Sequence, residues 1–166
     1  MLKYSYCKEV FQEVPNEITL GISISGCRIR CVGCHSRDLW EDKGTPLTPQ
    51  CLELLLKKHQ GITCVCLFGG EHDIDSLIEL FKSIKEHTSL KTAWYCGLDI
   101  IPDKYSHIKQ YLDFIKIGHY DMDLGGLDSP TTNQKLWKKD TTLDVGKATP
   151  ATVWINITHL LQNHDN

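Results

Sequence analysis

One short loop holds three of the chain's eight cysteines, directly after an apolar strand-like run. Its sequence is Ser25-Gly-Cys27-Arg-Ile-Arg-Cys31-Val-Gly-Cys34-His35, a C-x3-C-x2-C spacing. Thiolates are the soft ligands that iron–sulfur clusters and zinc select. A structural zinc site needs a fourth ligand, which His35 or a distant cysteine would have to supply. An iron–sulfur cluster held by three thiolates instead keeps one iron open to another molecule.

Composition restricts the classes of protein that remain. The 166 residues are enough for one domain, predicted over 1–166, with a sizeable core. The net charge of −3 gives no basic face for nucleic acid. No apolar run approaches the roughly 20 residues of a membrane span, and the first residues lack the apolar stretch of a signal peptide. These features predict a cytoplasmic protein whose cysteines are ligands or core residues and not disulfides.

Hydrophobic periodicity predicts strands that alternate with helices. A strand over Glu17–Ser25 precedes the cysteine loop, and a helix over Thr48–His59 begins at the capping Thr48. The pattern continues with strands over Thr63–Phe68, Leu90–Cys96 and Phe114–Ile117, and with helices over Ile74–His87 and Tyr105–Leu112. Beyond Gly118 the alternation stops, and Leu136–Thr141 with Thr152–Thr158 predict a hairpin or two extended arms.

This alternation predicts an α/β fold. Four or five right-handed βαβ units make a mainly parallel sheet. A full eight-unit barrel needs about 250 residues, so we expect a truncated, open (β/α) partial barrel with a C-terminal extended or hairpin segment. Functional groups in such folds collect after the C-terminal ends of the strands. Three segments with reactive groups lie there: Cys27–Cys34, Gly69–Glu71 and Cys96–Gly97.

The stretch Gly26–Trp40 resembles the cluster loop of the radical S-adenosylmethionine (SAM) superfamily, in the branch of glycyl-radical-enzyme activating enzymes. The nearest likeness is to the activase of anaerobic (class III) ribonucleotide reductase. The run Leu124–Gln134, Leu-Gly-Gly-Leu-Asp-Ser-Pro-Thr-Thr-Asn-Gln, is similar to the tail of that activase. The end of the chain, Asp144 and then Ile155–His159, is similar to its terminal segment.

The resemblance implies a 4Fe–4S cluster on Cys27, Cys31 and Cys34, with SAM on the fourth iron. The cluster would cleave SAM reductively, and the resulting 5′-deoxyadenosyl radical would take hydrogen from a C-terminal glycine of the reductase. The implied partners are that anaerobic ribonucleotide reductase and a low-potential electron donor such as flavodoxin or ferredoxin. The implied SAM-binding residues are Gly33, Cys34, His35, Gly69, Gly70 and Glu71.

Several of these residues also have simpler interpretations. Gly69-Gly70-Glu71 is similar to the family's SAM amino-group motif, in which glycines let backbone carbonyls approach a ligand, but it also suits an ordinary strand-to-helix turn. His72 departs from the Pro or Asp that often follows this motif. Cys96 either faces the cavity or packs in the core. Arg28 and Arg30 either meet an acidic partner or are only solvated.

Three other functions stay open at this point. One is activation of another glycyl-radical enzyme, of the pyruvate formate-lyase type. Another is radical SAM chemistry on a small molecule. The third is a non-catalytic iron–sulfur or zinc protein, which would bind metal but not SAM.

Overall fold

The computed structural model describes residues 1–142 and 151–162, and Asp144 lies outside them. In these ranges the strands are β1 (Lys3–Val10), β2 (Thr19–Ile24), β3 (Thr45–Pro46), β4 (Cys64–Phe68), β5 (Lys91–Tyr95), β6 (Phe114–Ile117), β7 (Lys135–Thr142) and β8 (Ala151–Asn156). The α-helices are α1 (Pro49–Lys58) and α2 (Ile74–His87). Short 3₁₀ helices cover Arg37–Trp40, Asp103–Tyr111 and Thr158–Leu160.

These strands form one open mixed sheet in the order β3-β1-β2-β4-β5-β6-β7-β8. Only the centre is parallel: β2, β4, β5 and β6 pair in parallel, whereas β1, β3, β7 and β8 pair antiparallel. The parallel part is therefore smaller than four or five βαβ units imply. The reason is that neighbours without a crossover between them, such as β7 and β8, pair antiparallel. The assignment to a radical SAM partial barrel stays a prediction.

Both predicted long helices are confirmed, and each begins at a side-chain cap. The backbone N–H of Cys51 donates to Thr48 Oγ1 at 3.2 Å, and Pro49 occupies the first turn of α1. The Ser76 N–H donates to Asp73 Oδ1 at 3.1 Å at the start of α2. The helix predicted over Tyr105–Leu112 is instead a 3₁₀ helix. The terminal hairpin is confirmed by the pairing of β7 with β8.

Strand β1 was not predicted, because its sequence Lys-Tyr-Ser-Tyr-Cys-Lys-Glu-Val mixes polar and apolar residues without a clear apolar face. Most of its side chains are exposed or only half-buried. Its partner β2, in contrast, is buried at every position. Strand β1 therefore owes its structure to pairing with β2 more than to burial of its own side chains.

The sheet separates two apolar clusters. The helix-side cluster packs β2, β4 and β5 against the helices, and its members include Ile22, Leu67, Leu77, Phe81 and Trp94. The inner cluster lies on the other face and consists of Val14, Cys64, Cys66, Ala93, Phe114, Leu136 and Ile157. Cys64 and Cys66 are thus core residues, as the alternation of their strand predicts. Among the described residues, no helix is long and apolar enough to cross a bilayer.

Candidate functional site

Four loops meet at the C-terminal ends of the parallel strands. The cysteine loop follows β2, Gly69–Glu71 follows β4, and Cys96–Asp99 follows β5. The sequence predicted functional segments in these three loops, the last of them over Cys96–Gly97. The fourth loop, Gly118–Tyr120 after β6, was not among them. All four stem from adjacent strands in one sheet, so their side chains can act on one ligand.

The cysteine loop is closed at its base by its own backbone. The Gly26 N–H donates to the Glu41 carbonyl at 3.1 Å, and the Cys27 N–H donates to the Leu39 carbonyl at 2.9 Å. Gly26 has a φ of +79°, in the left-handed region that favours glycine. The buried Ser25, just before the loop, donates its N–H to the Lys3 carbonyl at 3.0 Å. These hydrogen bonds therefore fix the start of the loop to the segment that follows it.

Backbone N–H groups face two of the three loop sulfurs. Those of Ile29 and Arg30 hydrogen-bond Cys27 Sγ, and that of Ser36 donates to Cys34 Sγ at 3.4 Å. Arg30 has a φ of 52°, which is unusual for a residue with a side chain. Hydrogen bonds to sulfur are one way in which proteins tune iron–sulfur clusters. The loop backbone thus fits thiolates at these positions.

The three loop thiols are free and half-buried, a state that suits ligands. Burial raises the pKa of the Cys27 thiol, the backbone N–H groups that face its sulfur act in the opposite direction, and the nearby Glu71 and Cys31 raise it further. Across residues 1–142 and 151–162, no three Cys, His, Asp or Glu side chains are gathered tightly enough for a single metal ion. A 4Fe–4S cube holds each thiolate on a different iron, so its ligands stand farther apart than those of one ion. The three loop thiols are a donor set of the kind that such a cluster uses.

Gly33 and His35 pack against the loop after β6. A Cβ added to Gly33 would lie 3.0 Å from Met122 Cβ and 3.5 Å from Tyr120 Cε1, and Gly33 has a φ of +76°. The His35 ring contacts the Tyr120 ring, with centroids 5.5 Å apart. His35 is exposed, and its ring is tilted by 48° relative to that of Tyr120. Both residues join the cysteine loop to its neighbour.

Glu71 connects two of the loops. Its Oε1 accepts a hydrogen bond from the Gly97 N–H, and its Oε2 lies 3.7 Å from the position of a Cβ at Gly69. We expected the carbonyls of Gly69 and Gly70 to approach a ligand, but both accept hydrogen bonds from the protein itself. Gly69 O accepts from Trp94 Nε1 at 2.8 Å, and Gly70 O accepts from the Asp73 N–H at 3.0 Å. The second carboxylate oxygen of Glu71 accepts no hydrogen bond from the described residues.

Gly70 is required by both backbone and space, and we expect Gly70→Ala to destabilise the fold. Its φ is +92°, and an added Cβ would lie 2.9 Å from Leu77 Cδ2 in the core. We expect a loss of about 2–4 kcal/mol in the urea-unfolding free energy. Gly61→Ala is the matched control, since Gly61 has a φ of +87° but no atom within 4 Å of the added Cβ. It should lose only about 1–2 kcal/mol. Equal losses would show that Leu77 contributes nothing.

Lys116 is a buried ammonium at the same edge and was not among the predicted site residues. It lies on β6 with 9% of its surface exposed, and its Nζ donates to the Gly118 carbonyl at 2.7 Å and the Cys96 carbonyl at 3.3 Å. Burial lowers the pKa of Lys116, whereas the nearby Cys96, Glu71 and Cys31 act in the opposite direction. The signal was present in the sequence, because this lysine interrupts the apolar strand Phe-Ile-Lys-Ile.

The run Leu124–Gln134 builds a turn-rich connection between β6 and β7. Thr131 Oγ1 donates to the Leu124 carbonyl at 2.9 Å, and Thr132 Oγ1 donates to the Gly125 carbonyl at 3.3 Å. At its far end, Asn133 Nδ2 donates to the His119 carbonyl at 3.0 Å. His119 in turn contacts Asp99 through Nδ1 at 2.9 Å. The run thereby supports the segment against which Gly33 and His35 pack.

The other residues singled out in the sequence are either buried in the core or located on or beside the cysteine loop. Cys96 is fully buried in the helix-side cluster, where it accepts a hydrogen bond from the Leu98 N–H at 3.4 Å, and burial raises the pKa of its thiol. This position favours the packing interpretation. Arg28 and Arg30 are exposed on the cysteine loop. His72 lies beside the cysteine loop, and its Nε2 is 3.4 Å from the position of a Cβ added to Gly26.

Comparison with known proteins identifies the family. No curated protein and no solved structure gives a significant match. The family model described as a 4Fe-4S single cluster domain matches residues 18–135, which is more than half of the chain. The match includes the cysteine loop and all four strands of the parallel centre. The chain therefore belongs to the 4Fe-4S single cluster domain family and is an iron–sulfur protein.

Proposed function

We propose that this protein is a radical SAM enzyme that activates an anaerobic ribonucleotide reductase. One observation carries the proposal: a three-cysteine loop shares a sheet edge with a carboxylate and a buried ammonium, Glu71 and Lys116. The methionine part of SAM has one ammonium and one carboxylate, so these side chains complement both of its charges. A purely electron-carrying cluster has no need of such a pair beside it.

In this proposal Cys27, Cys31 and Cys34 hold the cluster and leave one iron for SAM. Glu71 accepts hydrogen bonds from the amino group of SAM, and Lys116 donates to its carboxylate. Gly33 and His35 on one side, and Gly69 and Gly70 on the other, bound the space for the ligand. When bound, the cluster supplies the electron that cleaves SAM to methionine and a 5′-deoxyadenosyl radical, which takes hydrogen from a glycine of the reductase.

Partners follow from charge and from the family likeness. The exposed Arg28, Arg30 and Arg37 give the cysteine loop a basic face, although the whole chain has a net charge of −3. Such a face complements an acidic electron donor, of which flavodoxin and ferredoxin are the types we propose. The likeness of Leu124–Gln134 to the activase favours the anaerobic reductase as the protein substrate. We place the reaction in the cytoplasm.

The test combines SAM cleavage with radical transfer. The reconstituted protein, SAM and dithionite should yield 5′-deoxyadenosine, and with the reductase of the same organism should yield a glycyl-radical doublet in the electron paramagnetic resonance spectrum. The doublet should vanish when the reductase's C-terminal glycine is replaced by alanine. Glu71→Gln should weaken SAM binding about ten- to a hundredfold, as loss of one charge-assisted hydrogen bond predicts, without changing the iron content.

Each alternative has its own result in this experiment. A glycyl radical on pyruvate formate-lyase, with none on the reductase, would assign the protein to that other type of activase. Cleavage of SAM without a radical on either protein would favour a small-molecule substrate. A protein whose intact cluster neither binds nor cleaves SAM would have an electron-transfer or a structural role and no radical SAM activity.

A further inference from the structure

A second group of reactive side chains lies outside the cysteine loop, on β1 and at the end of α1. Cys7 and Glu9 are on β1, where they pair with Ile22 and Leu20 of β2. The cysteine loop instead follows the C-terminal end of β2. His59 ends α1 and reaches both β1 residues. This group therefore stands apart from the proposed SAM site.

Contacts in this group run in the order thiol, imidazole, carboxylate. Cys7 Sγ lies 3.7 Å from His59 Nε2, and His59 Nδ1 lies 3.0 Å from Glu9 Oε1. A carboxylate accepts only from a protonated nitrogen, so the contact with Glu9 selects the imidazole tautomer with its proton on His59 Nδ1. Nε2 then carries the lone pair that accepts the Cys7 S–H. Nucleophile, base and orienting acid stand in the order that activates a thiol.

We propose that Cys7 is a nucleophilic thiol, modified by small uncharged electrophiles, with His59 as its general base and Glu9 as the residue that positions the imidazole. As sulfur forms its bond to the electrophilic carbon, the S–H bond breaks and the proton moves to His59 Nε2. The leaving group departs with its electron pair. Glu9 stabilises the imidazolium that results, so charge is balanced within the group.

The groups around Cys7 determine whether its thiol is protonated before the reaction. Burial raises the pKa of the Cys7 thiol, Cys51 and Glu9 raise it further, and Lys58 acts in the opposite direction. The resting sulfur is therefore protonated, and its reaction depends on a base that takes the proton during the step. His59 is the base in contact. A preformed thiolate–imidazolium pair is not required.

The group adjoins an open groove through His59. His59 lines an open groove of about 700 Å³ between α1 and α2. The groove also carries the apolar side chains of Leu52, Leu56, Ile62 and Leu90. The His59 side chain is 19% exposed and Glu9 is 41% exposed. A small neutral reagent suits this environment, because Glu9 opposes the approach of an anion and Lys58 opposes that of a cation.

The test measures alkylation of individual cysteines in the cluster-loaded protein under anaerobic conditions. Limiting iodoacetamide is the probe, and mass spectrometry of peptides gives a separate rate for Cys7 and for Cys51. Cys51 is the internal reference, because it is also half-buried, lies close to Cys7, and has no imidazole contact among the described residues. We expect Cys7 to react faster than Cys51 in the parent protein.

Variants of His59 and Glu9 then separate base catalysis of Cys7 alkylation from simple exposure of the thiol. His59→Gln should slow Cys7 alkylation about a hundredfold, the lower end of what a positioned general base contributes, and leave Cys51 unchanged. Glu9→Gln should slow Cys7 less, and Glu9→Asp should restore part of the rate. His87→Gln is the matched control, since His87 lines the same groove but its Nδ1 contacts the Ser83 carbonyl at 2.9 Å; it should leave the rate unchanged.

Three results would overturn the proposal. The first is a Cys7 rate no greater than that of Cys51. The second is an unchanged Cys7 rate in both His59→Gln and Glu9→Gln. The third is a parallel rise of both rates in these variants, which would mean local unfolding and not activation. Glu9 is on the exposed side of the group, so its variants keep the test usable even if His59→Gln folds poorly.

Discussion

Replacing any one of Cys27, Cys31 and Cys34 by alanine will leave a protein that cannot be reconstituted with a stable 4Fe–4S cluster. The loop supplies three thiols, and a cluster of this kind is held by cysteine thiolates on its separate irons. Loss of one leaves two neighbouring ligands, which is too few. We expect iron to fall from about four per chain in the parent to near background, together with the brown absorbance.

Cys51→Ala is the matched control for this loss. Cys51 is free and half-buried like the loop cysteines, but it lies on α1. Its replacement should leave iron content and absorbance at the parent level. A colourless parent with one zinc per chain, or equal iron loss in the control, would contradict the assignment of the cluster to the loop.

Replacing Lys116 by methionine should move stability and SAM binding in opposite directions. The ammonium is buried with only backbone carbonyls as hydrogen-bond partners, so its removal relieves a desolvation cost. We expect the urea-unfolding free energy to rise by about 1–2 kcal/mol. The same change should weaken SAM binding about ten- to a hundredfold, because one charge-assisted hydrogen bond to a carboxylate is lost.

Lys138→Met is the control for Lys116→Met. Lys138 is an exposed lysine on β7, opposite Phe114 in the sheet. Its replacement should change neither the unfolding free energy nor the affinity for SAM. A Lys116→Met protein that is less stable than the parent and also binds SAM poorly would indicate a structural role for the lysine. Urea titration and calorimetry measure the two quantities independently.

Local patterns were sufficient to predict much of the parallel centre. The helices α1 and α2 have capping residues and a clear apolar stripe, and β4 is a continuous apolar run. These signals reside within each segment, so one sequence is enough to read them. Strand β1 was missed because its stability depends on pairing with β2, from Val10 opposite Thr19 to Tyr4 opposite Ile24. Pairing of that kind leaves little trace in local periodicity.

The site was predictable as residue types but not as contacts. The cysteine spacing and Gly69–Glu71 stood out because each motif is contiguous. The hydrogen bond from the Gly97 N–H to Glu71, and the approach of Trp94 to the Gly69 carbonyl, join separate strands. Lys116 was visible as a charge inside an apolar strand, yet only the sheet order brings it near Cys31. Such contacts depend on the topology and register of the sheet.

The closed base of the cysteine loop bears on how the protein matures. Because Gly26 and Cys27 are hydrogen-bonded to Glu41 and Leu39, the entropy of closing this loop is lost during folding and not when iron arrives. The apoprotein should accordingly fold first and receive its metal afterwards, unlike small metallodomains that are unfolded without metal. Loss of the cluster to oxygen would then leave a scaffold that an assembly system can refill without refolding the chain.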